Sequence, residues 1–228
     1  MDAPAVETIG LSRRYGRRWA LADVSLSVPR GSVVMLAGRN GSGKSTLLRV
    51  LATALRPDQG QARVAGRDVA RERDSVRRQV ALLGHNSFLY EALSAHENLE
   101  LTARLAGRRL DPAVIARVGL AERAHEPVMG FSAGMRKRLS LARVLLQDKP
   151  IVLLDEPYGE LDPPGFELLD GVIGELSRRG VTVIVATHLV ERGRQLCERA
   201  LLLDEGRLAW SGPAREMPQE APRAAAGR

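Results

Sequence analysis

Residues 38–45 read GRNGSGKS, placed between the apolar run VVMLA (33–37) and the helix-like stretch STLLRVL (45–51). This octet limits the fold more than any other feature of the chain. Gly38, Gly41 and Gly43 let a loop turn its N–H groups inward around an anion, because no Cβ blocks the approach. The helix that starts near Lys44 adds its positive dipole end. Arg39, Asn40, Ser42 and Thr46 complete the cradle, Lys44 is placed to reach β- and γ-phosphates, and Ser45 offers a hydroxyl to Mg²⁺. The run has the context such a loop needs, a strand before and a helix after. It points to a bound nucleoside triphosphate.

A second apolar run, IVLLDE (151–156), ends in two acids. An apolar run ending in Asp is common, and two solvated acids at a strand end are the plain alternative. Downstream of a phosphate loop, however, Asp155 is the expected acid on the Mg²⁺ side. Glu156 projects differently from its neighbour and is placed to polarise an attacking water.

The rest of the chain predicts an α/β fold of the P-loop NTPase type, with a mostly parallel sheet flanked by helices. Residues 8–28 read as two extended segments around a turn at Arg13, Arg14, Tyr15 and Gly16, an antiparallel N-terminal part. A helix is expected over 44–55, ended by Arg56 and Pro57. Short strands are expected near 62–69, 80–83, 151–154 and 181–186. Ser94 and Glu97 form a capping box, Asp111 and Pro112 open a second helix, and Ser132 caps a third. Asp162, Pro163 and Pro164 start a helix that presents Leu168, Leu169, Val172, Ile173 and Leu176 inward, and Gly180 ends it. Asp204, Glu205 and Gly206 mark a hairpin. The organisation is then a domain over 1–212, with a core of 1–84 and 137–212 and a helical subdomain at 85–136. A loosely ordered tail rich in Pro, Ala, Arg and Glu follows at 213–228.

Composition narrows the partners. Net charge is +7, almost all of it from Arg, with Lys only at 44, 137 and 149. Arg is spread along the chain and mixed with Asp and Glu, so no nucleic-acid surface is expected. No apolar stretch approaches the roughly 18–20 residues of a membrane helix, and MDAPAVETIG lacks the pattern of a signal peptide. The single cysteine, Cys197, excludes an internal disulfide and suggests a reducing compartment.

GRNGSGKS, FSAGM (131–135), IVLLDEP (151–157), GELD (159–162) and ATH (186–188) occur in that order. The set resembles the ATP-binding subunits of ABC transporters over about residues 5–212. That resemblance implies ATP with Mg²⁺, hydrolysis to ADP and phosphate, a second copy forming a nucleotide-sandwich dimer, and separate transmembrane permease subunits at the cytoplasmic face of the cell membrane. Ser132, Ala133, Gly134 and Met135 match the signature loop, usually Ser-Gly-Gly-Gln, which caps the nucleotide of the opposite subunit. Ala133 and Met135 depart from it, and Met135 cannot supply the amide bonds of Gln. Asp162 would link the two sites or simply cap its helix. His188 matches the switch histidine at the γ-phosphate, and Tyr15 the aromatic that stacks on adenine. At the end of run 80–83, His85 and Asn86 stand where the family usually has a Gln touching Mg²⁺ and water. One of the two is expected to take that role.

Within the family, the stretch GHNSFLYEALSAHENLELTARLAG (84–107) and the motif FSAGM most resemble the ATPase of the cytochrome c maturation system. That implies heme delivery, with drug or small-molecule efflux as the alternative. The chromosome and repair ATPases that share these motifs carry a long coiled coil before the signature loop, for which this chain has no heptads. No Asn-Lys-x-Asp guanine motif is present.

Overall fold

The computed structural model describes residues 3–218. A six-stranded sheet runs in the order β10-β9-β3-β8-β7-β6. Its members are β3 (Val33–Ala37), β6 (Val80–Leu83), β7 (Ile151–Asp155), β8 (Thr182–Ala186), β9 (Arg199–Asp204) and β10 (Arg207–Pro213). All neighbours are parallel except β9 and β10, which form the hairpin expected around Glu205.

Strands β3, β7 and β8 are buried at every position. Successive side chains point to opposite faces, so one strand feeds two cores. Val34, Leu36, Leu153 and Ile184 join one; Val33, Met35, Leu154 and Val183 join the other. This explains why these runs are continuously apolar rather than alternating.

The first core is closed by α1 (Lys44–Leu51) and by a second, antiparallel sheet in the order β2-β1-β4-β5. It consists of β1 (Val6–Tyr15), β2 (Arg18–Val28), β4 (Gln59–Val64) and β5 (Arg67–Asp68). The turn between β1 and β2 falls at Gly16 and Arg17, slightly later than the sequence suggests. Helix α1 ends at Leu51 rather than near 55; Ala52 is followed by Thr53 at φ 60. A short α2 (Arg73–Arg77) precedes β6.

The other face carries α3 (Ala95–Leu105), the five-residue α4 (Ala113–Arg117), α5 (Ala133–Leu146), α6 (Pro163–Arg178) and α7 (Val190–Leu196). Both α3 and α4 pack on α5. The capping box forms as expected: Ser94 Oγ accepts from Glu97 N, and Glu97 accepts from the Ser94 backbone. In α6, Leu169, Val172, Ile173 and Leu176 are buried, while Leu168 is only partly so.

The tail expected from 213 begins packed rather than loose. Ala214 and Met217 are buried, Ala214 N donates to Glu198 O, and Arg194 donates to Met217 O at 2.7 Å. Residues 219–228 lie outside the described part. No described helix is long and apolar enough to cross a membrane.

Candidate nucleotide site

Parallel pairing brings the carboxyl ends of β3, β8, β7 and β6 level with one another: Leu36 stands opposite Ala186, Asp155 opposite Ala186, and Leu83 opposite Leu154. Loops leaving this edge carry Gly38, His188, Glu156 and His85. Ligands of open α/β sheets bind at this edge.

The phosphate loop is tightly packed from behind. Gly38 and Gly43 sit at φ 144 and 107. A Cβ on Gly38 would strike the Leu203 carbonyl, and one on Gly43 the Ala20 carbonyl. Backbone conformation and crowding both demand glycine there. Lys44 is buried, and its Nζ donates to Gly38 O at 2.8 Å and Arg39 O at 3.3 Å, which holds the amine across the loop.

A cleft of about 670 Å³ opens over this loop. Asn40, Gly41, Gly43, Lys44, Ser45 and Thr46 form its floor; Tyr15, Arg18 and Ala20 from the first hairpin form one wall. His85, Glu156, Gly159 and His188 close the other. Gly38, Arg39, Ser42 and Asp155 do not line the cleft but support it. Ser45 Oγ donates to Asp155 Oδ1 at 2.8 Å, which ties the start of α1 to the end of β7. A hydroxyl beside a carboxylate is a hard oxygen donor set. It fits Mg²⁺, which is usually held by one or two carboxylates together with substrate phosphates.

Glu156 is held from both sides. Its Oε1 lies 3.6 Å from Lys44 Nζ and its Oε2 2.9 Å from His188 Nδ1. A carboxylate only accepts, so Nδ1 carries the proton and Nε2 is left free. Glu156 Oε1 is buried with no hydrogen-bond partner among the described residues. The residue has φ 45, and its N–H donates to Ala186 O at 2.9 Å.

His85 lines the cleft and Asn86 does not. Tyr15 is half exposed, with the Arg13 guanidinium 5.2 Å from its ring centre. The signature-like residues are elsewhere. Ser132 caps α5 by accepting from Met135 N at 3.2 Å, Gly134 packs against the Glu160 carbonyl, and Met135 is partly buried against the core. Asp162 accepts from Gly165 N at 3.1 Å, so it caps α6. None of Ser132, Ala133, Gly134, Met135 or Asp162 lines this cleft. Gly159, the first residue of the GELD motif, lines it, as do Arg18 and Ala20, which the sequence did not single out; their proximity to Tyr15 is the available signal.

The family model described as ABC transporter matches residues 21–159, more than half the chain. The chain belongs to the ABC transporter family. It is an ATP-binding subunit of that family and an ABC-type ATPase. A daunorubicin resistance ATP-binding protein, DrrA3, of Streptomyces coeruleorubidus is 40% identical over 227 residues, covering 96% of this chain and 72% of that protein. The daunorubicin/doxorubicin resistance ATP-binding protein DrrA of Streptomyces peucetius is 36% identical and covers 93% of this chain; the chain spans 66% of that relative's length. Among solved structures, the ATP-binding cassette MJ0796, a dimer in a post-hydrolysis state bound to ADP and phosphate, superposes with a TM-score of 0.84 at 25% identity. It covers 93% of this chain and 100% of its own.

These ABC relatives reverse the order of the two transport readings. The sequence resemblance put heme delivery first, but several of the matched relatives, DrrA3 and DrrA among them, carry drug-resistance names. The heme reading drew on the stretch 84–107 and the FSAGM motif, which weigh less than a match over 96% of the chain.

Proposed function

We propose that this chain hydrolyses ATP to drive a small-molecule efflux transporter, working with separate transmembrane permease subunits and a second ATP-binding copy at the cytoplasmic face of the membrane. The observation that carries the hydrolytic part is Glu156, gripped by Lys44 and His188 with Oε1 unsatisfied over the phosphate loop. The efflux part rests on the 40%-identical drug-resistance relative.

Adenine stacks on Tyr15, and the phosphates lie on the 38–46 loop amides with Lys44 at the β- and γ-positions. Ser45 and Asp155 would hold Mg²⁺, which supplies neutralisation of phosphate charge. Glu156 orients and polarises the attacking water, and His188, carrying a proton on Nε2 as well as on Nδ1, would donate from Nε2 to the developing charge on the γ-phosphate. His85, rather than Asn86, reports the γ-phosphate to the helical subdomain. Ser132, Ala133, Gly134, Met135 and Asp162 serve the second copy's nucleotide, consistent with their position away from this chain's own cleft. Closed and open dimers that prefer ATP and ADP respectively would perform the mechanical work.

The test is purification of tagged chain from its native membranes, with mass spectrometry of what accompanies it. A multidrug-type permease, with ATPase activity stimulated by amphipathic drugs, is the expected result. Recovery of cytochrome assembly proteins would move the assignment to heme delivery, and recovery of no membrane protein would overturn the transport reading.

A further inference from the structure

Behind the cleft, three segments that carry site residues meet at one carboxylate. Asp170, on α6, accepts from the Tyr158 hydroxyl at 2.7 Å through Oδ1. Its other oxygen, Oδ2, pairs with Arg192 on α7. The Arg192 guanidinium also lies over two aromatic rings, 4.9 Å from the centre of Phe166 and 5.5 Å from that of Tyr158. Those rings meet edge-to-face at 5.3 Å.

The positions of these residues give the cluster its significance. Tyr158 follows Glu156 by two residues, Arg192 follows His188 by four, and Asp170 lies two turns into the helix that Asp162 caps. Burial, with Asp170 second, pushes the Tyr158 hydroxyl well above the ordinary tyrosine range, so it remains a donor. Glu156 stands in the left-handed region, where a side chain is strained and needs outside support. The next residue, Pro157, lacks an N–H to anchor it. The first side-chain anchor after Glu156 is therefore Tyr158.

We infer that Tyr158, Asp170 and Arg192 form a clamp that fixes the spacing of Glu156 and His188, and that these three are positioning residues for ATP hydrolysis. None of the three lines the cleft. The clamp sets where the α7 segment bearing His188 sits relative to the loop bearing Glu156. A carboxylate using both oxygens on two segments fixes their offset, whereas apolar packing alone would allow them to slide. The arrangement also joins the Asp162 helix to the same unit, so the residue proposed to face the second copy moves with the catalytic pair.

This inference rests on Glu156 and His188 acting as proposed above, so Glu156→Gln is the control. Steady-state hydrolysis and nucleotide binding are measured on the full chain for Tyr158→Phe, Asp170→Ala, Asp170→Asn and Arg192→Lys, with rates expressed per nucleotide-binding site. Tyr158→Phe removes one hydroxyl and is the variant least able to unfold the chain. The expected result is a kcat lowered about tenfold in Tyr158→Phe, with KM and Kd for ATP within about twofold. Asp170→Asn, which still accepts from Tyr158, should recover part of what Asp170→Ala loses. If Glu156→Gln abolishes turnover while Tyr158→Phe and Asp170→Ala keep kcat per site within about twofold, the clamp is only structural and the inference fails alone. Turnover surviving in Glu156→Gln would overturn the site reading and the inference together.

Discussion

At residue 156 the chain accepts a backbone conformation that costs on the order of 1–3 kcal/mol outside glycine. With φ at 45, the carboxylate is turned toward Lys44 and His188 rather than along the strand direction of Asp155. Two adjacent acids with the same chemistry thereby acquire different surroundings: Asp155 accepts from Ser45, whereas Glu156 is flanked by Lys44 and His188, with Oε1 lacking a hydrogen-bond donor. Cys197 shows the opposite use of position. It is buried at the end of α7, and burial, with Glu198 second, pushes its thiol up to about 12. The thiolate is the reactive form, so iodoacetamide at pH 8 should leave the native chain unlabelled and modify it fully once denatured. Rapid labelling of native protein would show that α7 opens readily. The sequence brought Lys44, Asp155, Glu156 and His188 forward as candidates: Lys44 from the phosphate-loop pattern, the two acids from their place at a strand end downstream of it, and His188 from the family resemblance. It could not disclose the φ of Glu156 or that His85 lines the cleft and Asn86 does not, since both depend on where the strand-end loops turn in three dimensions.

At the scale of elements, local signals and structure agree best where side chains satisfy their own helix ends. Ser94, Ser132 and Asp162 each cap the helix they were expected to cap. Ser94 is buried and ties α3 to the loop that follows the cleft, where Asn98 also holds the backbone of Tyr90. Ser94→Ala should lower unfolding stability by about 1 kcal/mol in chemical denaturation, while basal hydrolysis stays near wild type. An unchanged midpoint would mean the capping box contributes nothing in this context. Element ends were less legible. Helix α1 stops at Leu51, and the packed segment extends past Pro213 because Ala214 and Met217 dock on the core through α7 and β9. Composition at 213–218 gave no hint of that docking.

Across the whole molecule, the parallel order β3-β8-β7-β6 is the arrangement from which the site follows. Four loops with separate sequence origins converge because their strands end level. The fold class was therefore readable from the alternation of short apolar runs with helices, and the two cores follow from strands buried on both faces. The site is one-sided: Ser132 and Asp162 cap their own helices and do not line the cleft. Completion by a second copy is what the account requires. The most direct measurement of it is size-exclusion chromatography with light scattering on Glu156→Gln, with and without ATP and Mg²⁺, alongside its turnover. The expected result is a monomer that becomes a stable dimer with ATP, and a turnover lowered by roughly 10² or more. A chain that stays monomeric with ATP bound, or that hydrolyses at the wild-type rate, would contradict it.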